Sequence, residues 1–216
     1  MLPGFWPHAI LYLGSVSKLE KYFDDPKVLE WIRTETGQEL SFVSWLRQRY
    51  PSAFSAYASK SKMETNEVME AISEGVVFNS LHKASGDYLA AMRPRLDRLA
   101  KAQAIADAFK YWNRPYDFDF DFATEHALVC TELVWRAYRP SNNKKGLDFP
   151  LIQVAGRQTL PANDIVKVFS RTRMQESRQL DFVYFLDARE KSREVRVESE
   201  DTLASSAERS KWGELH

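Results

Sequence analysis

The run His8-Ala9-Ile10-Leu11-Tyr12-Leu13-Gly14 reads as a strand, apolar on both faces and closed by glycine. Such a strand is expected to be buried on both faces. The next strand signals, Val68-Met69-Glu70-Ala71-Ile72 and Gly75-Val76-Val77-Phe78, come only after a long stretch of different character. Within that stretch Pro26 opens a helix through Val28, Leu29, Trp31 and Ile32, and Ser41 caps another through Phe42, Val43, Trp45 and Leu46. Pro51 breaks the pattern before a short segment at Phe54–Tyr57. Residues 15–66 are thus expected to form a helical, aromatic-rich block between the first and second strands.

Further along, a short helical piece is expected near Ser85–Ala91, and a strand at Ala91-Met92-Arg93 stopped by Pro94. Leu96–Trp112 carries the clearest helical stripe, with Leu96, Leu99, Ala102, Ile105, Ala106 and Phe109 on one face. A second amphipathic helix begins at or just before Cys130 and runs to about Tyr138, ahead of Pro140. Ile165–Phe169 and Phe182–Leu186 read as strands, with Arg193–Val197 a weaker third. The tail from Glu198 is polar and reads as frayed or as a short helix. Strands, a helical block, more strands and two unequal helices in this order predict an α+β domain rather than a regular βαβ winding. Residues 1–197 are read as one domain and 198–216 as a polar tail, in keeping with a length of 216 residues.

Charge is balanced at 30 basic and 30 acidic residues, so nothing steers the chain toward nucleic acid or an anionic membrane. A single cysteine excludes an internal disulfide and a thiolate zinc site. No apolar run approaches the roughly 18 residues of a membrane span. The N-terminus has no basic n-region, and the apolar Ala9–Leu13 run is too short for a signal peptide, so a cytoplasmic location is the default expectation. The oligomeric state is not legible.

The chemistry-bearing candidates are few. Cys130, in Ala127-Leu128-Val129-Cys130-Thr131-Glu132, stands where a helix N-terminus would favour its thiolate. A lone cysteine among Leu and Val is also a common small buried hydrophobe. A cysteine nucleophile needs a base and the base an orienting acceptor. Of four histidines, His216 is terminal, His82 reads as a surface residue and His126 lies four residues before the cysteine. His8 begins a buried strand behind Gly4-Phe5-Trp6-Pro7 and would be held at a defined place. Glu70 falls on the same strand face as Val68 and Ile72, where a carboxylate is costly without a partner, and an imidazole N–H would satisfy it. Tyr116, after Arg114-Pro115, is either a packed loop anchor or a phenol donor to an oxyanion. Asp117, Asp119 and Asp121 alternate with phenylalanines but lack the glycine and closing glutamate of an EF-hand loop, and read as a structured turn.

These pieces, in this order, resemble the circularly permuted papain-like cysteine hydrolases of the YaeF/YiiX type, relatives of the NlpC-type cell-wall peptidases. The resemblance rests on Pro3-Gly4-Phe5-Trp6-Pro7-His8 with its strand, on Val68-Met69-Glu70-Ala71 with Gly75-Val76, and on Arg114-Pro115-Tyr116-Asp117 leading to Cys130-Thr131-Glu132-Leu133-Val134 and Tyr138. It implies a permuted papain-like α+β fold, with an antiparallel sheet packed on the nucleophile helix. It also implies Cys130 as nucleophile, His8 as base, Glu70 as the residue orienting the imidazole and Tyr116 as an oxyanion donor. The implied activity is hydrolysis of an amide bond, peptide or cell-wall in type, through a thioester, with no metal or organic cofactor. The partner would be a small peptide, amide or acyl substrate. A lipid-acyl hydrolase or acyltransferase, or a binding protein that keeps the fold, are the alternatives. Two departures stand out. The family form carries a Gly-Asp-containing strand ahead of Pro-Gly-Phe-Trp, and this sequence starts after that point. The plain form also joins the His strand to the Glu strand by a short turn, where residues 15–66 intervene here.

Overall fold

The computed structural model describes residues 4–59, 65–120, 122–189 and 194–209. The first strand, β1 (Leu11–Tyr12), lies at the end of an extended segment and leads directly into four helices: α1 (Val16–Tyr22), α2 (Pro26–Thr36), α3 (Phe42–Arg49) and α4 (Pro51–Ala58). Their starts follow local chemistry. Ser15, Asp25 and Ser41 accept hydrogen bonds from the backbone N–H of Lys18, Lys27 and Ser44, and Pro26 and Pro51 sit in the first turn of their helices, where no N–H is needed. The helical block is not a satellite. Leu19, Ile32, Phe42, Leu46 and Tyr57 are almost wholly buried and join the common core. The Tyr57 hydroxyl donates to the Gly14 carbonyl at 2.7 Å, tying α4 to the end of the first strand segment.

The chain then forms a hairpin of β2 (Val68–Ile72) and β3 (Gly75–Asn79). β1 pairs antiparallel with β2, Leu11 opposite Met69, giving a three-stranded sheet in the order β1-β2-β3. After α5 (Leu81–Ala84) comes β4 (Tyr88–Pro94), then α6 (Arg98–Phe109) and α7 (Cys130–Tyr138). α7 packs against both α6 and β2. Lys144 fixes one end of that packing, donating to Asp107 of α6 at 2.6 Å and to the Ala137 carbonyl of α7 at 2.8 Å.

The last third holds the hairpin β5 (Ile152–Val154) and β6 (Arg157–Thr159), then α8 (Ala162–Thr172), β7 (Leu180–Arg189), β8 (Glu194–Glu198) and α9 (Glu200–Ser206). β7 lies between β4 and β8 in a second antiparallel sheet. No helix among the described residues is long and apolar enough to cross a membrane.

Some local expectations need correction. Ile165–Phe169 is not a strand but the middle of α8. Ile165, Val166, Val168 and Phe169 form one buried helical stripe, a pattern that a five-residue apolar run does not distinguish from a strand. The helical piece expected at 85–91 is the single turn of α5, placed earlier by the cap Ser80, and Tyr88 already belongs to β4. The β5–β6 hairpin was not anticipated. Its turn residues Ala155 and Gly156 both have positive φ, and alanine gives no signal for that. The segment after Glu198 does form a short helix, and α9 buries Leu203, Ala204 and Ser206.

Candidate active site

His8 is placed by the segment ahead of it. The N–H of Trp6 donates to Asn163 Oδ1 at 2.8 Å, Asn163 Nδ2 donates to the Ala207 carbonyl at 2.7 Å, and Trp6 Nε1 donates to Ser206 Oγ at 2.8 Å. Phe5 and Trp6 pack against Tyr88 and Phe185 with tilted rings, their centroids 4.5 and 5.4 Å apart. The close approach depends on Gly4, whose φ is +129° and whose missing Cβ would sit 2.4 Å from Asn163. Buried Asn163 and Ser206 gave no sequence signal, because a single polar residue in an amphipathic helix reads as solvated.

Glu70 lies at the centre of β2, opposite Val77, and is 3% exposed. Its carboxylate is fully engaged. Oε2 is 2.7 Å from His8 Nε2, and Oε1 accepts from Asn79 Nδ2 at 2.7 Å. Burial alone would raise the carboxyl's pKa, but the hydrogen bonds from His8 and Asn79 hold it below the ordinary carboxylate range. Asn79, nine residues on, is the member of this cluster that sequence reasoning did not find. The register of the β2–β3 hairpin brings it there.

The Cys130 sulfur is the imidazole's other neighbour, close enough to act on its titration. With Nε2 on Glu70, Nδ1 is the nitrogen left for sulfur. Burial of the ring would lower its pKa. The Cys130 sulfur and the Glu70 carboxylate beside it reverse that and push His8 up to about 9. Cys130 itself is the first residue of α7, after the extended Val129, which offers no side-chain cap. The N–H groups of the first turn therefore point outward from the helix end beside the sulfur.

Tyr116 reaches the same place by a backbone route. Residue 116 bridges Leu128 in parallel: Leu128 N–H donates to the Pro115 carbonyl at 3.0 Å, and Asp117 N–H to the Leu128 carbonyl at 3.2 Å. This pairing ends two residues before the cysteine. The Tyr116 phenol is raised above its usual pKa by burial first and then by the charges of Cys130 and Asp117. The preceding residues are clamped to the hairpin by Val76 N–H on the Arg114 carbonyl (2.8 Å) and Asn113 N–H on the Val76 carbonyl (2.9 Å). Gly75, with φ +106°, makes room, since a Cβ there would lie 2.5 Å from the Arg114 oxygen.

The loop between Tyr116 and Cys130 is held by Arg136 on the buried face of α7. Its guanidinium donates to Glu132 Oε1 (2.7 Å), to Glu125 Oε1 (2.7 Å) and to the carbonyls of Phe122 (3.0 Å) and Thr124. Glu132 is completely buried, and burial pushes its carboxyl up to about 7 against the pull of Arg136. Its Oε2 has no hydrogen-bond partner among the described residues. Asp117 caps the turn at its own start, accepting from Asp119 N–H at 2.8 Å. Asp121 lies outside the described residues.

The structure therefore brings His8, Glu70 and Cys130 together, with Tyr116 beside them. His82 and His126 lie elsewhere, on α5 and in the exposed part of the loop, and His216 is outside the described residues. The family model for permuted papain-like amidases of the YaeF/YiiX type, the C92 family, matches residues 1–184 of the 216. The chain belongs to that family. Neither a curated protein nor a solved structure matches it. The segment carrying His8 precedes the helix carrying Cys130, in the permuted order. The helical block of residues 16–58 lies inside the matched span.

Proposed function

We infer that this chain is a thiol amidase whose nucleophile is Cys130. The observation that supports this reading best is the His8 imidazole, held by a buried carboxylate at 2.7 Å from one nitrogen and close to a helix-terminal thiol. Such a ring takes the thiol proton and leaves a thiolate beside an imidazolium.

The thiolate attacks the carbonyl carbon of the scissile amide, forming the C–S bond while the carbonyl electron pair moves to oxygen. That oxyanion accepts from the Cys130 backbone N–H and from the Tyr116 hydroxyl. As the intermediate collapses, the C–N bond breaks and the His8 imidazolium protonates the departing amine. A water molecule then gives a proton to His8 and its oxygen attacks the thioester. The C–S bond breaks, the acid departs, and the thiolate–imidazolium pair is restored. Glu70 stays ionised throughout. It fixes the ring orientation and stabilises the imidazolium, and Asn79 fixes Glu70.

The substrate class follows the family: an amide, with a short peptide as the first choice. An ester or lipid-acyl substrate is the second reading, and the apolar cavity bordered by His8 is the observation in its favour. A panel of peptide amides, thioesters and phospholipids, run with the native protein and with Cys130→Ala, tests both. Hydrolysis of the amides alone, lost in Cys130→Ala, supports the first reading. Full activity in Cys130→Ala refutes the mechanism whatever the substrate.

A further inference from the structure

The Tyr116 ring has two aromatic neighbours in its own loop. Phe118 meets it edge-on, with centroids 5.0 Å apart, and Phe120 meets it at a right angle, at 6.3 Å. The two differ in burial. Phe120 is half-buried and packs against the core, whereas Phe118 is 71% exposed, the most exposed aromatic ring among the described residues. A phenylalanine exposed on its own needs no explanation. This one touches the side chain assigned to the oxyanion, and the turn that presents it is both tethered and strained.

The tethers lie on either side of the ring. Asp117 Oδ1 accepts from the Asp119 N–H at 2.8 Å, which turns the backbone over Phe118. Arg157 reaches across from β6, donating to the Asp119 carbonyl and lying 3.4 Å from its carboxylate. Phe120 then adopts φ +55°, a left-handed conformation that a bulky side chain holds only where its surroundings impose it. The chain thus carries local strain and leaves a large apolar ring in water, and it does both beside Tyr116.

Distance limits what that ring can touch. With the phenol oxygen about 3 Å from the centre of its own ring, the Phe118 ring lies within about 8 Å of that oxygen, roughly two residues of extended chain. A group packed on Phe118 therefore belongs to the part of a substrate next to the scissile bond. The acyl side is favoured, because the oxygen that Tyr116 would receive is the carbonyl oxygen of the acyl residue. Charge does not compete for the place. Asp117 is engaged by the Asp119 N–H, and Asp119 by Arg157, which leaves the ring face as the surface on offer.

We propose that Phe118 is a specificity-determining residue, whose exposed ring receives the side chain of the substrate residue that supplies the scissile carbonyl and selects an aromatic or branched aliphatic side chain there. The inference rests on the assignment of Cys130 and Tyr116, and it narrows the substrate from an amide to the amide of an apolar acyl residue.

The test uses the full chain and N-acetylated phenylalanyl, leucyl and alanyl chloromethyl ketones. In each the ketone stands where the scissile carbonyl would be, and the thiolate displaces chloride to form a C–S bond. Labelling of Cys130 is followed at pH 8 by intact mass and peptide mapping. Each rate is divided by that of the same reagent with free cysteine, and iodoacetamide serves as the reagent without a side chain. The native protein should favour the phenylalanyl and leucyl reagents over the alanyl one by about five- to tenfold. Phe118→Ala should bring that ratio close to one, and Phe118→Tyr, which keeps the ring, should keep it.

Equal labelling of the native protein by all three ketones overturns the proposal, and so does a preference that survives in Phe118→Ala. Either result, with iodoacetamide still alkylating Cys130 faster than free cysteine, defeats the role of Phe118 alone. A Cys130 no more reactive toward iodoacetamide than free cysteine defeats the reading of the site, and this inference with it.

Discussion

Glu70→Gln is the substitution that isolates electrostatics from shape. Glutamine keeps an oxygen for His8 Nε2 and the same volume in β2 and removes the charge, while its NH2 requires the Asn79 amide to turn its oxygen toward it. The two groups are 2.7 Å apart, Glu70 is 3% exposed, and the His8 side chain is 30% exposed. An opposite charge this close moves a pKa by about 1–3 units. The partial exposure of His8 places the effect at about 1–2 units, or roughly 1.4–2.8 kcal/mol. The imidazole, pushed up to about 9 in the native site, then falls to roughly 7–8. Transfer of the thiol proton to the ring becomes less favourable by the same amount. The assay is the rate of Cys130 alkylation by iodoacetamide between pH 5 and 10, followed by intact mass. At pH 8 the native ring is still protonated and the variant's is largely neutral, so the variant should react about 2- to 10-fold more slowly, while at pH 6, where both rings are protonated, the two rates should lie close together. The two rates converge at high pH, where the thiol ionises unaided. Stability carries the same signature. A histidine raised from 6.5 to about 9 in the folded state contributes stability that is fully present below 6.5 and is lost as pH rises through 9. The native urea midpoint should therefore decline across that window, and the Glu70→Gln midpoint should decline less. A folded Glu70→Gln protein with an unchanged alkylation profile would refute the reasoning.

Other substitutions probe the supports of the site. Arg136→Met strands the buried Glu132 and should cost about 3–5 kcal/mol in urea unfolding, whereas Glu132→Gln, which keeps the acceptor for Arg136 Nε, should cost far less at pH 7. Gly75→Ala forces a Cβ to 2.5 Å from the Arg114 oxygen at φ +106°; it should destabilise by about 1–3 kcal/mol and lower kcat by displacing Tyr116. Tyr116→Phe should reduce kcat by about 10²–10³ with little change in KM; an unchanged kcat would remove the phenol from the oxyanion site.

Much of this was legible in the sequence because the informative residues violate their local pattern. Glu70 interrupts an apolar strand, and the cost of a buried carboxylate points to a partner; the structure supplies His8 and Asn79. The strand at 68–72, the cap at Ser41 and the helix start at Cys130 follow from alternation, capping chemistry and amphipathicity. The helix α8 was mistaken for a strand because Ile165–Phe169 is short and apolar, and its helical identity depends on flanking residues. Asn163, Asn79 and Arg136 were not legible at all. Each acts on residues 11 to 157 positions away or across a hairpin, and only tertiary packing turns an ordinary polar side chain into a fixed partner.

The central claim is that Cys130 forms a covalent acyl intermediate with His8 as its base. The direct measurement is acid-quenched intact mass and peptide mapping during turnover of an activated amide or ester. The account predicts one acyl adduct, on Cys130, that is absent in Cys130→Ala and forms at least about 10²-fold more slowly in His8→Ala. Turnover with no adduct on Cys130, or with the adduct on another residue, would contradict it.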